Sequence, residues 1–593
     1  MNVLWLIKLF VIYYLVRSMK NYYKIRVGLA QMNPVMGDMP KNRAKILELI
    51  ERGESENCDF ILFPEMAVTG YPVQDLIFVH NFVDNNLQII DQIKDHVKNS
   101  VVIIGCITKN SASESSLTPF HNSAAIIFPG GQVKYVHKHL LPNYDVFDEK
   151  RYFAPSNKFE VFDFHGVKFG VEICEDLWDE QYDTNVTSNI RRLGANCIFN
   201  INASPYYVGK PEIREKVIQK HVKSESIPLV YLNMVGGQDE ITFDGRSVVY
   251  DHAGTPIARL PAFQEDFEAV EMTVPVEEHL RELEDRKIEE YAPQNAYPLK
   301  VDQNADIYDA LALNLRDYYE KVGIFNKIVV GLSGGIDSAF TAVIACKAVG
   351  PENVVGVLMP SRFSSGHSVD DAKALCKNLG MKYHIVPIKQ MHQAAEKVLW
   401  DQFNVEKFDI ADENLQSRLR GVILMYYSNK FDALLVSTGN KSEIAVGYCT
   451  LYGDTNGGKN VPGDLFKVDI YRLAKWLNRE HREATGGLIF PENTIEKAPS
   501  AELRENQTDQ DSLPPYEVLD AVLLEFIEND KSFAEIIEMG FDEKTVRRIE
   551  RLYYSAEFKR AQMAQTIKLT KKGFGIGRRL PILNKYHIKR DKI

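Results

Sequence analysis

The stretch KIVVGLSGGIDSAFTAV, Lys327–Val343, decides how the second half of the chain folds. An apolar, β-branched run leads into Ser333-Gly334-Gly335-Ile336-Asp337-Ser338, and a helical apolar pattern follows. Strand, glycine loop and helix, in that order, aim backbone N–H groups and a helix N-terminus at an anion. A Walker A loop closes with Lys-Ser/Thr, and its lysine follows the β- and γ-phosphates. That lysine is absent here. Ser333, Asp337 and Ser338 take the polar positions instead, which suits a pyrophosphate that departs after attack at the α-phosphate. Asp337 is a candidate Mg2+ ligand, carboxylates being the usual protein partners of that ion. The plain alternative is a structural glycine turn.

Around this loop, KIVVGLS, NVVGVLM, KYHIVPI and ALLVST read as strands separated by helical stretches, so residues 307–593 are expected to hold a parallel sheet with ligands at its carboxyl ends. The GxGxG near the end, in IKLTKKGFGIGRRLP, lacks a preceding strand and reads as a loop, not a dinucleotide fingerprint. Upstream, the acidic residues 276–306 read as an inter-domain connection. Residues 19–275 alternate short strands with helices, among them KIRVGLAQ, DFILFPE, VVIIGCIT, KFGVEIC and NCIFNIN. Many of these are apolar on both faces, as strands buried between layers are. A chain of 593 residues exceeds one hydrophobic core, in keeping with two α/β domains.

Three strand ends in the first half carry reactive groups: Glu65 in FILFPE, Lys138 in KYVHKHLLPNY and Cys174 in VEICED. Singly, each has an ordinary reading: a helix cap, a solvated lysine, a core cysteine. Together they suit amide hydrolysis. Cys174 would be the nucleophile, as a thiolate whose pKa a nearby cation and base lower. Glu65 would accept its proton and later activate water. Lys138 would stabilise the oxyanion. Glu149 is a second carboxylate that would assist.

These segments, with the NSA at Asn122, resemble the nitrilase, or carbon-nitrogen hydrolase, superfamily over about residues 20–275, in the family order Glu, Lys, Cys. The resemblance implies an αββα sandwich. It narrows to the glutaminase domain of glutamine-dependent NAD synthetases, which implies glutamine contacts at Tyr144, Ser204 and Lys210. The SGGIDS loop is similar to the signature of the N-type ATP pyrophosphatases. That likeness implies a Rossmann-like domain in which Gly331, Leu332, Ser333, Gly334, Gly335, Ile336, Asp337, Ser338 and Thr438 meet ATP. The NAD synthetase branch further implies that Asn414, Glu443 and Lys559 contact deamido-NAD. Glu443 is also a candidate beside Asp337 for Mg2+, and residues alone do not separate its two roles. The family implies ATP as substrate, Mg2+, a homo-oligomer and an internal ammonia passage. Two rivals are another N-type amidotransferase acting on a different carboxylate, and an amidase with a nucleotide-sensing domain.

The formal net charge of −11 argues against nucleic acid as a partner. Seven scattered cysteines without a CxxC pair argue against a disulfide framework or zinc site and for a reducing, cytoplasmic setting. Residues 1–18 are apolar, but lack a basic start and a cleavage site, and are short for a membrane span. They read as an over-extended start with Met19 the initiator, a peripheral anchor being the alternative; a membrane partner is not expected.

Overall fold

The protein is described by a computed structural model, which covers residues 21–110, 118–276, 288–289 and 296–585. The reading of residues 1–18 lies outside these. The chain divides into two compact units, one of residues 1–236 and 243–301, the other of 237–242 and 302–593.

In the first unit the strands are β1 (Asn21–Gln31), β2 (Phe60–Leu62), β3 (Val101–Lys109), β4 (Phe120–Ile127), β5 (Val133–His137), β6 (Phe162–Phe164), β7 (Val167–Ile173), β8 (Cys197–Asn202), β9 (Leu229–Asn233), β12 (Val248–Tyr250), β13 (Pro256–Arg259), β14 (Asp266–Val276) and β15 (Ile288–Glu289); β10 (Val235–Gln238) and β11 (Ile241–Asp244) run partly through residues 237–242, which count with the second unit. One sheet has the order β14-β1-β2-β3-β4-β5, with β15 also paired to β1; the other has the order β13-β12-β9-β8-β7-β6. Their inner faces share one core. Ile25, Val27 and Leu29 of β1 belong to the same buried cluster as Val171 and Ile173 of β7. The Phe60 ring lies 5.2 Å from Phe169 and 4.9 Å from Phe199. Helix Phe82–Lys94 packs on β3, and helix Met39–Ser55 packs beside it. Helices Val186–Arg192 and Lys210–Glu225 bury Val186, Ile190, Ile218 and Val222 against the other sheet's outer face. This is the expected αββα sandwich. Both sheets are covered on both faces, which explains the continuous apolar strands.

In the second unit β16 (Lys327–Leu332), β17 (Val354–Leu358), β18 (Lys382–Ile385), β19 (Ala433–Ser437), β20 (Lys459–Asn460) and β21 (Gln565–Thr566) form a sheet ordered β18-β17-β16-β19-β20-β21. Every neighbouring pair is parallel. From β16 the chain moves outward to β17 and β18, then returns to add β19 on the other side. The strand order therefore reverses between β16 and β19, where open α/β sheets form a crevice at the strands' carboxyl ends. The SGGIDS loop leaves β16 and Thr438 leaves β19, so topology brings both to that crevice.

Two details differ from the sequence expectation. Within the stretch read as a connection, Ile288–Glu289 pairs with Tyr22 and Tyr23 of β1. The first helix of the second unit starts at Gln303, ahead of Ile307, because the Asp302 carboxylate caps it by accepting from the N–H groups of Asn304 and Ala305. The GxGxG segment follows β21 as turns.

Candidate functional site

In the first unit the reactive residues sit at successive strand ends: Glu65 after β2, Lys138 directly after β5, Cys174 directly after β7. Gly105 on β3 makes room for the glutamate. A Cβ there would come within 2.3 Å of the Met66 nitrogen and the Pro64 carbonyl oxygen. Cys174 opens a short 3-10 turn with φ at +48°, a left-handed backbone that turns the nucleophile sharply off its strand.

Lys138 is 1 % exposed, and its ammonium donates to two buried carboxylates, Glu65 Oε1 and Glu149 Oε1, each at 2.8 Å. Asn122 Nδ2 donates to Glu65 Oε1 at 2.7 Å and to Glu149 Oε2 at 3.4 Å. Tyr71 donates to Glu149 at 2.9 Å. The Ala203 N–H donates to the other oxygen of Glu65 at 2.8 Å, tying the end of β8 to the same group. Burial would lower the Lys138 pKa, but Glu149 and Glu65 hold it well above the usual lysine value. Burial, with the charge of Glu65 acting against that of Lys138, raises the Glu149 carboxyl.

The Cys174 thiol corrects an expectation. The motif implies a lowered pKa. Instead burial pushes the thiol well above the ordinary cysteine value, and the charge of Glu65 raises it further; Lys138 only opposes these. Burial and the charge of Glu65, the strongest acting on it, thus disfavour ionisation of the Cys174 thiol.

Asp176 locks this region together. Its carboxylate accepts from the N–H groups of Ile173, His139 and Leu140 at 2.8–3.0 Å, fastening the lysine loop to the cysteine turn. Of the residues expected to hold glutamine, Tyr144 donates to both oxygens of Glu175 at 3.0 Å. Lys210 stands 3.5 Å over the Trp178 ring, and Ser204 is buried at the end of β8. Burial, then the like charge of Arg214, brings Lys210 down to about 8.

In the second unit a cavity of about 290 Å³ opens at the β16/β19 crevice. Gly331, Leu332, Ser333, Gly335, Ile336, Asp337, Ser338, Thr438 and Glu443 line it. Gly334 is not a lining residue; it has φ +79°, and a Cβ there would stand 2.2 Å from the Ser368 carbonyl oxygen. Ser333 and Ser338 brace the loop through their hydroxyls, 3.2 Å apart. Asp337 lies in the first turn of helix Ile336–Val349. Its Oδ1 accepts from Asn440 Nδ2 at 2.9 Å, and its Oδ2 accepts from Lys467 Nζ at 2.6 Å. The same ammonium donates to Glu443 Oε1 at 3.2 Å. Burial would lower Lys467, but Asp337 and Glu443 raise it. Glu443 is raised by burial against the pull of Lys467.

Asn414 and Lys559 do not line this cavity; both hold the loop beside it. Asn414 accepts from the Thr450 hydroxyl at 2.7 Å, and Lys559 donates to the carbonyls of Gly447 and Cys449 at 2.7 and 2.8 Å. Sequence reasoning does not find Lys467 or Asn440. Lys467 lies 130 positions from Asp337, so no local motif announces it. Asn440 was within reach, because Asn440-x-x-Glu443 forms a helix-capping pair.

Among the described residues no cluster of three or more His, Cys, Asp or Glu side chains is placed to hold a metal. Mg2+ needs only one or two carboxylates when substrate phosphates complete its shell. Asp337 and Glu443, which meet at the Lys467 ammonium, are a pair that fits this description. No helix among the described residues is long and apolar enough to cross a membrane.

Known proteins bear on both halves. The carbon-nitrogen hydrolase family matches residues 26–279, and the NAD synthase family matches 307–563. A glutamine-dependent NAD(+) synthetase of Synechocystis is 41% identical over 570 residues, covering 95% of this chain and 99% of its own. The chain belongs to the glutamine-dependent NAD(+) synthetases. The enzyme is thus a ligase with a nitrilase-like domain fused to a synthetase domain. A glutamine-dependent NAD(+) synthetase of Aquifex aeolicus is 40% identical over 580 residues, covering 95% of this chain and all of its own. The glutamine-dependent NAD+ synthetase of Acinetobacter baumannii, solved in complex with ADP, superposes with a TM-score of 0.71 at 37% identity and covers 95% of this chain and 99% of its own.

Proposed function

We propose that this enzyme converts deamido-NAD to NAD in two coupled sites. In the first unit, Glu65 takes the proton of Cys174 as the thiol attacks the side-chain amide of glutamine. Lys138 is positioned for the oxyanion; Glu65 returns the proton to the amide nitrogen as the C–N bond breaks, ammonia leaves, and a thioester remains on Cys174. Glu65 then activates the water that releases glutamate. Burial and Glu65 disfavour the thiolate, so in this reading proton removal accompanies attack. Tyr144, Ser204 and Lys210 hold the glutamine.

In the second unit, an oxygen of the nicotinate carboxylate attacks the α-phosphorus of ATP, and the bond to pyrophosphate breaks. Ammonia attacks the acyl carbon of the resulting adenylate, AMP leaves, and the nitrogen loses its extra proton. A carboxylate is a poor electrophile and oxide a poor leaving group, so adenylation is what makes amidation feasible. The SGGIDS loop and Thr438 cradle the nucleotide, Asn414, Glu443 and Lys559 serve the dinucleotide, and Lys467 supplies the positive charge that the loop's own sequence lacks. Asp337 and Glu443 would hold Mg2+ with the phosphates, and when bound the ion would neutralise the departing pyrophosphate.

The observation that carries this reading is that one chain holds both constellations: a cysteine beside a lysine-bridged carboxylate pair, and a lysine-free glycine loop at a parallel-sheet switch point. All seven cysteines are free, which agrees with a cytoplasmic setting, and a homo-oligomer belongs to the same reading. The test supplies ATP, Mg2+, glutamine and deamido-NAD. NAD, AMP, pyrophosphate and glutamate are expected in equal amounts. Absence of pyrophosphate would favour a nucleotide-sensing amidase, and amidation of another acid would favour a different amidotransferase.

A further inference from the structure

The residue after Lys138 in KYVHKHLLPNY is His139, and it is buried, 6 % exposed. Its ring lies flat on Phe159, with centroids 4.6 Å apart and planes 3° apart. Both ring nitrogens face acceptor oxygens. Nε2 is 3.2 Å from the Lys158 carbonyl oxygen, and Nδ1 is 3.6 Å from Asp176 Oδ2. A neutral imidazole has one N–H and one lone pair, so it would turn a lone pair on one of these oxygens. The imidazolium carries an N–H on each nitrogen and suits both.

Asp176 is itself buried, and among the described residues His139 is its one ion-pair partner. The oxygen facing the ring, Oδ2, also accepts from the N–H of Ile173, the residue before the nucleophile, at 3.0 Å. Oδ1 accepts from the N–H groups of His139 and Leu140, the two residues after Lys138, at 2.9 and 2.8 Å. Charge on the ring therefore bears on the carboxylate that joins the cysteine turn to the lysine loop. A buried carboxylate without a cation carries a desolvation cost that this charge relieves. Three other charged or titratable groups belong to the same surroundings. Glu160 adds negative charge, and the Lys158 ammonium is paired with it at 2.6 Å. His137 is pushed down to about 4 by burial and the like charge of His121, so it is neutral near pH 7. Burial lowers the His139 pKa, but Asp176, then the Lys158 carbonyl and Glu160, raise it above the ordinary histidine value.

We propose that His139 is a positioning residue of the first unit: as an imidazolium paired with Asp176 it holds the Cys174 turn against the Lys138 loop, and glutamine hydrolysis slows when the ring loses its proton. This rests on the reading of Cys174 and Lys138 as nucleophile and oxyanion partner. Because the pKa is raised in the folded chain, the charge is fully present below about pH 6.5 and is lost as pH rises through the raised value.

The test uses the full chain and measures glutamate release at saturating glutamine from about pH 6 to 9, so that kcat is read and glutamine binding does not enter. Wild-type kcat should fall as pH rises. His139→Asn, with its fold checked by circular dichroism, keeps an N–H donor for Asp176 but carries no charge. Its kcat should be about tenfold below wild type at the acid end, a neutral hydrogen bond replacing a charge-assisted one, and the two profiles should converge at the alkaline end. NAD formation from ammonium should match wild type throughout. His139→Gln, which can donate to the Lys158 carbonyl without a charge, should give the same convergence and decides the matter if the asparagine variant does not fold. A variant-to-wild-type ratio that stays constant across pH, a wild-type kcat that does not fall, or an equal loss with ammonium would overturn the assignment and leave His139 a packing residue. Failure of wild-type enzyme to release glutamate at any pH would instead sink the underlying glutaminase reading.

Discussion

Each unit buries a lysine between two carboxylates, and each reaches that arrangement differently. In the first, Lys138 bridges Glu65 and Glu149 at 2.8 Å to each. In the second, Lys467 bridges Asp337 and Glu443 at 2.6 and 3.2 Å. Lys138 comes from the end of a strand in the same sheet as β2, which delivers Glu65, and Asn122 cross-links the two carboxylates. Lys467 is the first residue of a helix that begins far downstream of the loop it serves. A glycine loop without its own lysine therefore does not lack positive charge; another element brings it. In both cases a cation buried alone would be costly, and two carboxylates keep it charged. In the proposed mechanism the surroundings then set its use: the charge beside Cys174 serves an oxyanion, and the one lining the second unit's cavity serves phosphate.

The sharpest way to separate the two units is to remove the nucleophile. Cys174→Ala should lose glutamine-dependent NAD synthesis by about 10⁴-fold or more, since only background catalysis survives loss of a covalent nucleophile. Synthesis from ammonium salts, measured side by side, should stay near the wild-type rate. Persistent synthesis from glutamine would place the nucleophile elsewhere. Removing Asp337 should act on the other side of the comparison. Asp337→Ala should lower NAD formation from either nitrogen source by about 10²–10³-fold, the usual loss when one charge partner of a transition state is deleted. Normal ammonia-dependent synthesis in this variant would rule out its role.

The smallest of these effects is a pH dependence. Burial lowers Lys210 to about 8, so it is charged below that pH and neutral above it. If it holds the α-carboxylate, glutamine binding is strongest below pH 8 and is lost as pH rises. KM for glutamine should climb about tenfold per pH unit once well above 8. Lys210→Arg, which stays charged, should abolish that rise; a rise that persists in the arginine variant would assign the titration to another group.

What was legible in the sequence follows from these geometries. Glu65, Lys138, Cys174 and the SGGIDS loop each sit where an apolar strand gives way to a short signature, so chain order alone announces them. The layered architecture was legible for the same reason, since strands covered on both faces leave continuous apolar runs. Lys467 was not legible as a residue of the second unit's cavity. It opens a helix 130 positions from its partner, Asp337, so no local pattern joins the two. The state of the Cys174 thiol escapes the sequence because neighbouring charge can be inferred from a motif, whereas burial cannot. Strands as short as β12 and β13 carry too few residues for a period to show.

The central claim is that the two buried lysines serve separate chemistries, and replacing each by methionine tests it most directly. NAD formation is measured for Lys138→Met and Lys467→Met with glutamine and with ammonium as donors, on protein shown to be folded. Lys138→Met should lose synthesis from glutamine and keep synthesis from ammonium; Lys467→Met should lose both. A folded Lys138→Met enzyme that makes NAD from glutamine at the wild-type rate, or a Lys467→Met enzyme that still makes it from ammonium, would contradict the account.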